Sequence, residues 1–182
     1  MKLIVAVTGA SGAMYAKLLL EHLHSLKNVE KVAVIFSKNA QKVWEYELGQ
    51  KPELYNFTTY ADTDLWASCA SGSAQYDAMI VCPCSMGTLG RIAQGISDSL
   101  ITRAADVMLK ERRKLILVAR ETPLSLIHIK NMELITLAGA IVCPAVPSFY
   151  SHPQSIEDVC STVVFRIISL LGIPHSGYSW GN

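Results

Sequence analysis

An α/β fold with a mostly parallel sheet covered on both faces is the reading this sequence supports, on three grounds. Short apolar runs of strand character alternate along the chain with stretches whose apolar residues recur at helical spacing. Hydrophobic residues make up 51% of the 182 positions, enough to bury the core of one ordinary domain and to exclude a disordered chain. Charged residues account for 17%, below the roughly 25% of an average soluble protein.

The elements follow in order. Residues 3–7 form the first strand, and Thr8-Gly9-Ala10-Ser11-Gly12-Ala13 leads into a helix carrying Tyr15, Leu18, Leu19, Leu23 and Leu26 at helical spacing. A second strand spans 31–36, with a helix over 40–48. From 49 to about 75 no period is sustained, and 62–67 reads as a short helix. A third strand over 77–82 ends at Pro83-Cys84-Ser85, and helices follow over 86–95 and 99–112. The fourth strand covers 114–119, a helix 124–137, and the fifth strand 140–143. After a loop marked by Pro144, Pro147 and Pro153, residues 155–171 make the clearest amphipathic helix, with Ser155 as its N-cap. One domain over 1–173 and a tail over 174–182 complete the layout.

Composition narrows function. With 16 Lys and Arg against 15 Asp and Glu, the net charge of +1 offers no general attraction to nucleic acid or an anionic membrane. No apolar run approaches the roughly 20 residues of a membrane span. The apolar start breaks at Thr8-Gly9, short of the roughly 7–15 residues of a secretory core. Five cysteines, an odd number without a CxxC pair, read as reduced thiols of a cytoplasmic protein. The mean hydropathy of +0.29 is high for a soluble monomer, so part of the exterior is expected to be covered by other subunits.

In a parallel sheet the ligand lies outside the carboxyl ends of the strands. That rule selects Thr8, Gly9, Ser11 and Gly12, then Ser37 and Lys38, then Cys84, Ser85 and Thr88, and finally Arg120 and Glu121. Small residues, hydroxyls and amides at a helix start suit a phosphate. The first glycine loop is neither a dinucleotide fingerprint nor a Walker loop; it is a phosphate cradle or a tight turn capped by Ser11. Ser85 offers an oxyanion contact or simply an N-cap, and Cys84 a nucleophile without an evident histidine base. Arg103, Asp106 and Lys110 share one helix face, as a salt-bridge ladder or as cations for an anionic substrate across a subunit boundary. An Arg120–Glu121 pair at a strand end is costly to bury unless it acts: Arg120 as anion clamp, Glu121 as proton donor or acceptor. Tyr150 ends the proline loop, and Arg166 sits among apolar neighbours on the last helix. His128 and His152 have no metal-type spacing, and Trp44, Trp66 and Trp180 read as packing residues.

Taken in order, Thr8-Gly-Ala-Ser-Gly-Ala13, Ala70-Ser-Gly-Ser73, Cys82-Pro-Cys-Ser85, Arg103-Ala-Ala-Asp-Val107, Arg120-Glu-Thr-Pro-Leu-Ser125, Phe149-Tyr150, His152-Pro-Gln-Ser155 and Arg166 resemble the UbiX family of flavin prenyltransferases. The resemblance covers nearly the whole chain and is poorest over 49–67. It implies a Rossmann-like, flavodoxin-like three-layer sandwich assembled as a homododecamer. The implied activity joins the dimethylallyl group of dimethylallyl monophosphate to reduced FMN, without a metal, for a UbiD-type decarboxylase. Carried over by motif, Gly9, Ala10, Ser11, Ser37, Ser85, Met86, Gly87, Thr88 and Arg120 hold FMN, Gly87 through its backbone. Arg103, Lys110, Tyr150 and Arg166 hold the substrate phosphate, partly from neighbouring subunits. Glu121 is the acid/base residue, with Ser11 and Lys110 as further catalytic groups and Trp180 near a tail aromatic of some members. Glu121 and the released phosphate both remain candidates for removing the final proton. A flavin-dependent cysteine decarboxylase and an FMN carrier are the alternative readings.

Overall fold

The computed structural model describes residues 1–178 and 181. Its strands are β1 (Lys2–Val7), β2 (Lys31–Phe36), β3 (Thr58–Ala61), β4 (Ala78–Cys84), β5 (Lys114–Ala119) and β6 (Ile141–Val142). They form one sheet in the order β3-β2-β1-β4-β5-β6, and every pairing is parallel. The helices are α1 (Ala13–Ser25), α2 (Ala40–Leu48), α3 (Met86–Ala93), α4 (Leu100–Lys110), α5 (Leu126–Leu137) and α6 (Ile156–Leu171). The Rossmann-like, three-layer α/β class is therefore the observed one.

The pleat divides the strand residues between two cores. Leu3, Val5 and Val7 face α1, α2 and α6, packing with Leu19, Leu23, Trp44, Val164 and Ile167. Ile4 and Ala6 face the other layer, with Leu89 of α3, Val107 and Met108 of α4, and Ile135 of α5. Both faces being covered is why these strands read as unbroken apolar runs. Serine caps start four helices, each serine oxygen accepting a third-residue amide: Ser85 from Thr88, Ser99 from Thr102, Ser125 from His128 and Ser155 from Asp158. Such caps stabilise by about 1 kcal/mol apiece.

Two local expectations change. Residues 62–67 form turns, not a helix. The chain instead makes β3, a sixth strand at the sheet edge, followed by 3-10 turns at Ser68–Ala70 and Gly72–Ala74. β3 pairs on one side only and three of its four residues are exposed, so nothing demands an apolar run there. Asp62 then serves the next helix: its Oδ1 accepts the Ile101 amide at 2.9 Å and its carbonyl the Leu100 amide at 2.7 Å. The helices read over 86–95 and 99–112 also end earlier, at Ala93 and Lys110, because Gly95 and Arg112 take positive φ values of 68° and 56°.

Candidate functional site

The direction of chain connection reverses between β1 and β4, opening a crevice at their carboxyl ends. Thr8, only 2% exposed, closes its floor. Its hydroxyl donates to the Pro83 carbonyl at 2.7 Å and accepts the Ser85 amide at 2.9 Å. Thr8 is thus a tie between the two loops rather than a lining group.

Ser11 does not cap the first loop, contrary to the tight-turn reading. The N-cap of α1 is Gly12, at φ 118°, and no side chain of the loop caps the helix. The amides of Gly12 and Ala13 donate instead to Glu47 at the end of α2, at 2.9 and 2.8 Å. Burial opposes the charge on Glu47. Hydrogen bonds from Ser11, Gly12 and Ala13, with the Arg120 guanidinium nearby, outweigh burial and hold its carboxyl below the usual range. A carboxylate at a helix start is favoured by the helix dipole, and here it takes the place expected for a phosphate. Glu47 is the site residue that spacing could not find. The available hint was a helix start with no acceptor of its own.

The second helix start is open. Ser85 caps α3, its hydroxyl accepting the Thr88 amide at 3.3 Å and donating to the Thr88 hydroxyl at 3.0 Å. Among the described residues the Met86 and Gly87 amides have no protein acceptor. The Met86 side chain is buried in the core, leaving its amide as its contribution, while Gly87 is exposed. Gly9 faces the crevice at a point where a Cβ would come within 3.0 Å of the Asn39 Cβ, and Ala10 beside it is buried. Ser37, at the end of β2, donates its amide to Val7 at 2.9 Å.

Arg120 enters from the end of β5, its amide bonded to the Cys84 carbonyl at 3.2 Å. Its Nε is buried and has no hydrogen-bond partner among the described residues. A buried charged donor without an acceptor is expensive, and here it stands where Glu47 and Tyr15 feel its charge. Glu121 is exposed, one oxygen accepting the Thr122 amide at 3.1 Å. Cys84 is no nucleophile: it is fully buried, and burial pushes its thiol up to about 12.

Tyr150 and Arg166 lie on the neighbouring side. Ala145 bonds the Ala119 carbonyl at 2.9 Å, which places the loop after β6 beside the approach to Arg120. Arg166 lines a cavity of about 900 Å³ with Cys143, Ser148, His152, Phe165 and Tyr178. Tyr150 lines an adjoining recess with Phe149, His152 and Tyr178.

Arg103 and Lys110 are not brought into this crevice. Arg103 donates to the Ala70 carbonyl at 3.2 Å and pairs with Asp106 at 2.8 Å. Lys110 pairs with Glu111 at 2.6 Å, four residues before the amino end of β5 and so towards the end of the strands opposite the crevice. Trp180 lies outside the described residues. Among the described residues no group of three or more His, Cys, Asp and Glu could hold a metal ion, and no helix is long and apolar enough to cross a membrane.

A parallel sheet with an open, hydroxyl-lined crevice at its switch point defines a class that the comparisons name. The flavoprotein family model matches residues 1–168, and the chain belongs to that family. Within it, the chain belongs to the UbiX-type flavin prenyltransferases. It is 45% identical to the flavin prenyltransferase UbiX of Methanocaldococcus jannaschii over 185 aligned residues, covering 100% of this chain and 99% of the relative. It is similar to AnUbiX (PadA1), solved in complex with FMN and dimethylallyl pyrophosphate, with a TM-score of 0.90 and 44% identity over 98% of each chain. A dodecameric FMN-dependent UbiX-like decarboxylase from Escherichia coli O157:H7 superimposes with a TM-score of 0.95 and 41% identity, over 100% of both chains. The FMN-dependent cysteine decarboxylase TvaF, at 17% identity and a TM-score of 0.64, shares the fold alone.

Proposed function

We propose that this chain, a prenyltransferase of the UbiX type, moves the dimethylallyl group of dimethylallyl monophosphate onto reduced FMN. The Nε of Arg120 carries this reading: a buried cation on a residue tied to Cys84, just before the free amides of Met86 and Gly87, fits a phosphate-bearing ligand. On this reading Ser85, Met86, Gly87, Thr88 and Arg120 hold FMN, with Gly9, Ala10 and Ser37 closing the crevice around it. The helix start of α3, not that of α1, takes its phosphate.

Reduced FMN supplies the electron-rich ring that accepts the prenyl group. The remaining work belongs to side chains. Ser11, hydrogen-bonded to Glu47, fixes a hydroxyl and a carboxylate side by side at the crevice floor, able to hold or pass a proton. Arg166 and Tyr150 hold the substrate phosphate, and Arg103 and Lys110 join them from neighbouring copies in an oligomer that we take to be a dodecamer. Three fixed cations and a hydroxyl stabilise a departing monophosphate without a metal. Glu121, exposed in the single chain, acts as acid or base once a neighbour covers it and excludes water. The product serves a UbiD-type decarboxylase, in the cytoplasm.

Anaerobic incubation of the full chain with reduced FMN and dimethylallyl monophosphate, in chelator, tests this by mass spectrometry. A flavin carrying one dimethylallyl group is the expected result, and an unmodified flavin overturns the reading. The same reaction with the diphosphate, run in parallel, is expected to be slower.

A further inference from the structure

Past α6 the chain doubles back along that helix. Ile173 is buried in the core at its start. His175 then stacks on Phe165, with ring centroids 5.3 Å apart and 24° between the planes. Gly177 lies so flat against Phe165 that a Cβ there would collide with the ring, and its amide donates to His175 Nδ1 at 3.1 Å, bracing the turn. The next residue, Tyr178, stacks on Tyr150 with centroids 6.5 Å apart and planes 18° from parallel. Tyr178 borders both the Arg166 cavity and the Tyr150 recess.

We propose that Tyr178 is a positioning residue: carried on the strap of residues 172–178, it holds the Tyr150 ring at the mouth of the Arg166 cavity and so tightens the hold on an isoprenoid monophosphate. The inference rests on the reading that Tyr150 and Arg166 grip that phosphate. Core packing does not account for the contact, since Tyr150 and Tyr178 are 64% and 49% exposed. The path of the strap is written into the chain, because only glycine passes Phe165 at position 177. Tyr150 stands on a proline-marked loop without regular structure, so ordering its ring before the ligand arrives removes an entropic cost of binding. An offset aromatic stack is worth roughly a three- to tenfold change in affinity.

Calorimetric titration of the full chain with dimethylallyl monophosphate, beside steady-state kinetics and FMN titration, tests the proposal. Tyr178→Ala is expected to weaken binding and raise KM for the monophosphate roughly three- to tenfold, with kcat, FMN affinity and Tm unchanged. Tyr178→Phe, which keeps the ring, restores wild-type binding. Gly177→Val displaces the strap while sparing both tyrosines, and reproduces the Tyr178→Ala defect. Unchanged monophosphate binding in Tyr178→Ala, or an equal loss of FMN affinity, overturns the proposal, as does a Tyr178→Phe variant as defective as the alanine. A wild-type chain that binds the monophosphate but forms no adduct overturns the prenyl-transfer reading and leaves this one standing.

Discussion

The crevice at the ends of β1, β4 and β5 and the outer flank of α4 are built in opposite ways. In the crevice, groups distant in sequence meet: Thr8 with Pro83 and Ser85, Glu47 with Gly12 and Ala13, and Arg120 left with a buried donor unspent. On the flank, Arg103 and Lys110 are satisfied by carboxylates three residues and one residue away, Asp106 and Glu111. In one region a buried guanidinium nitrogen has no hydrogen-bond acceptor among the described residues, while in the other the cations are paired locally and partly exposed. On the function proposed above, a single chain carries the flavin half of the site and its phosphate half is divided between copies. α5 points the same way. Ile135 is its only buried residue, yet Leu126, Ile127, Ile129, Leu134 and Leu137 stand exposed along it, a pattern that fits a helix covered by a partner.

Arg120→Ala is the sharpest way to break this contrast. A charge-assisted contact removed from a buried site costs about 1.5–3 kcal/mol, so FMN affinity should fall roughly ten- to a hundredfold by fluorescence titration. An unchanged affinity would place the flavin elsewhere.

Lys110→Ala should do the reverse. The rate of adduct formation falls about tenfold or more, as for a lost transition-state cation, while FMN affinity and Tm stay put. A parallel loss of flavin binding would erase the distinction between the two regions.

A paired Ile127→Glu and Leu137→Glu change, at positions 71% and 79% exposed, should split the proposed oligomer without unfolding the protomer. Light scattering reports the mass and circular dichroism the fold. With it, Lys110 is expected to lose its effect on rate, since no neighbour delivers it.

The smallest effect is expected from Glu47→Gln. The folded-state pKa of Glu47 is lowered, so its contribution to stability is present above the unfolded carboxylate value and disappears as pH falls through the folded one. Glu47 is exposed, so solvent screening leaves roughly a few tenths of a kcal/mol at a helix start, and wild-type Tm should exceed that of the variant near neutrality by about a degree or two. The two curves should converge in acid; a constant gap at every pH would remove the charge from the explanation.

Much of the frame was legible in the residues. Strands buried on both faces must be apolar throughout, so 3–7 and 114–119 stand out, and Ser155 marks a helix start through its side-chain oxygen; the equivalent caps Ser99 and Ser125 appear only in the structure. β3 was not legible, because an exposed edge strand owes its form to pairing with β2 and not to its own side chains. The cations of α4 could be named from their spacing, but spacing along a helix does not say which side chains reach the carboxyl ends of the strands.

Local chemistry along the chain settled the class of fold, the caps and the identity of most charged and hydroxyl groups at the strand ends, since each depends on residues within a few positions. Packing alone chose the fate of the helix starts: α2 crosses so that Glu47 fills the first, and no acceptor among the described residues takes the second. The reason is physical. A backbone amide takes whichever acceptor the assembled layers bring within about 3 Å, and that distance exists only after the layers have met.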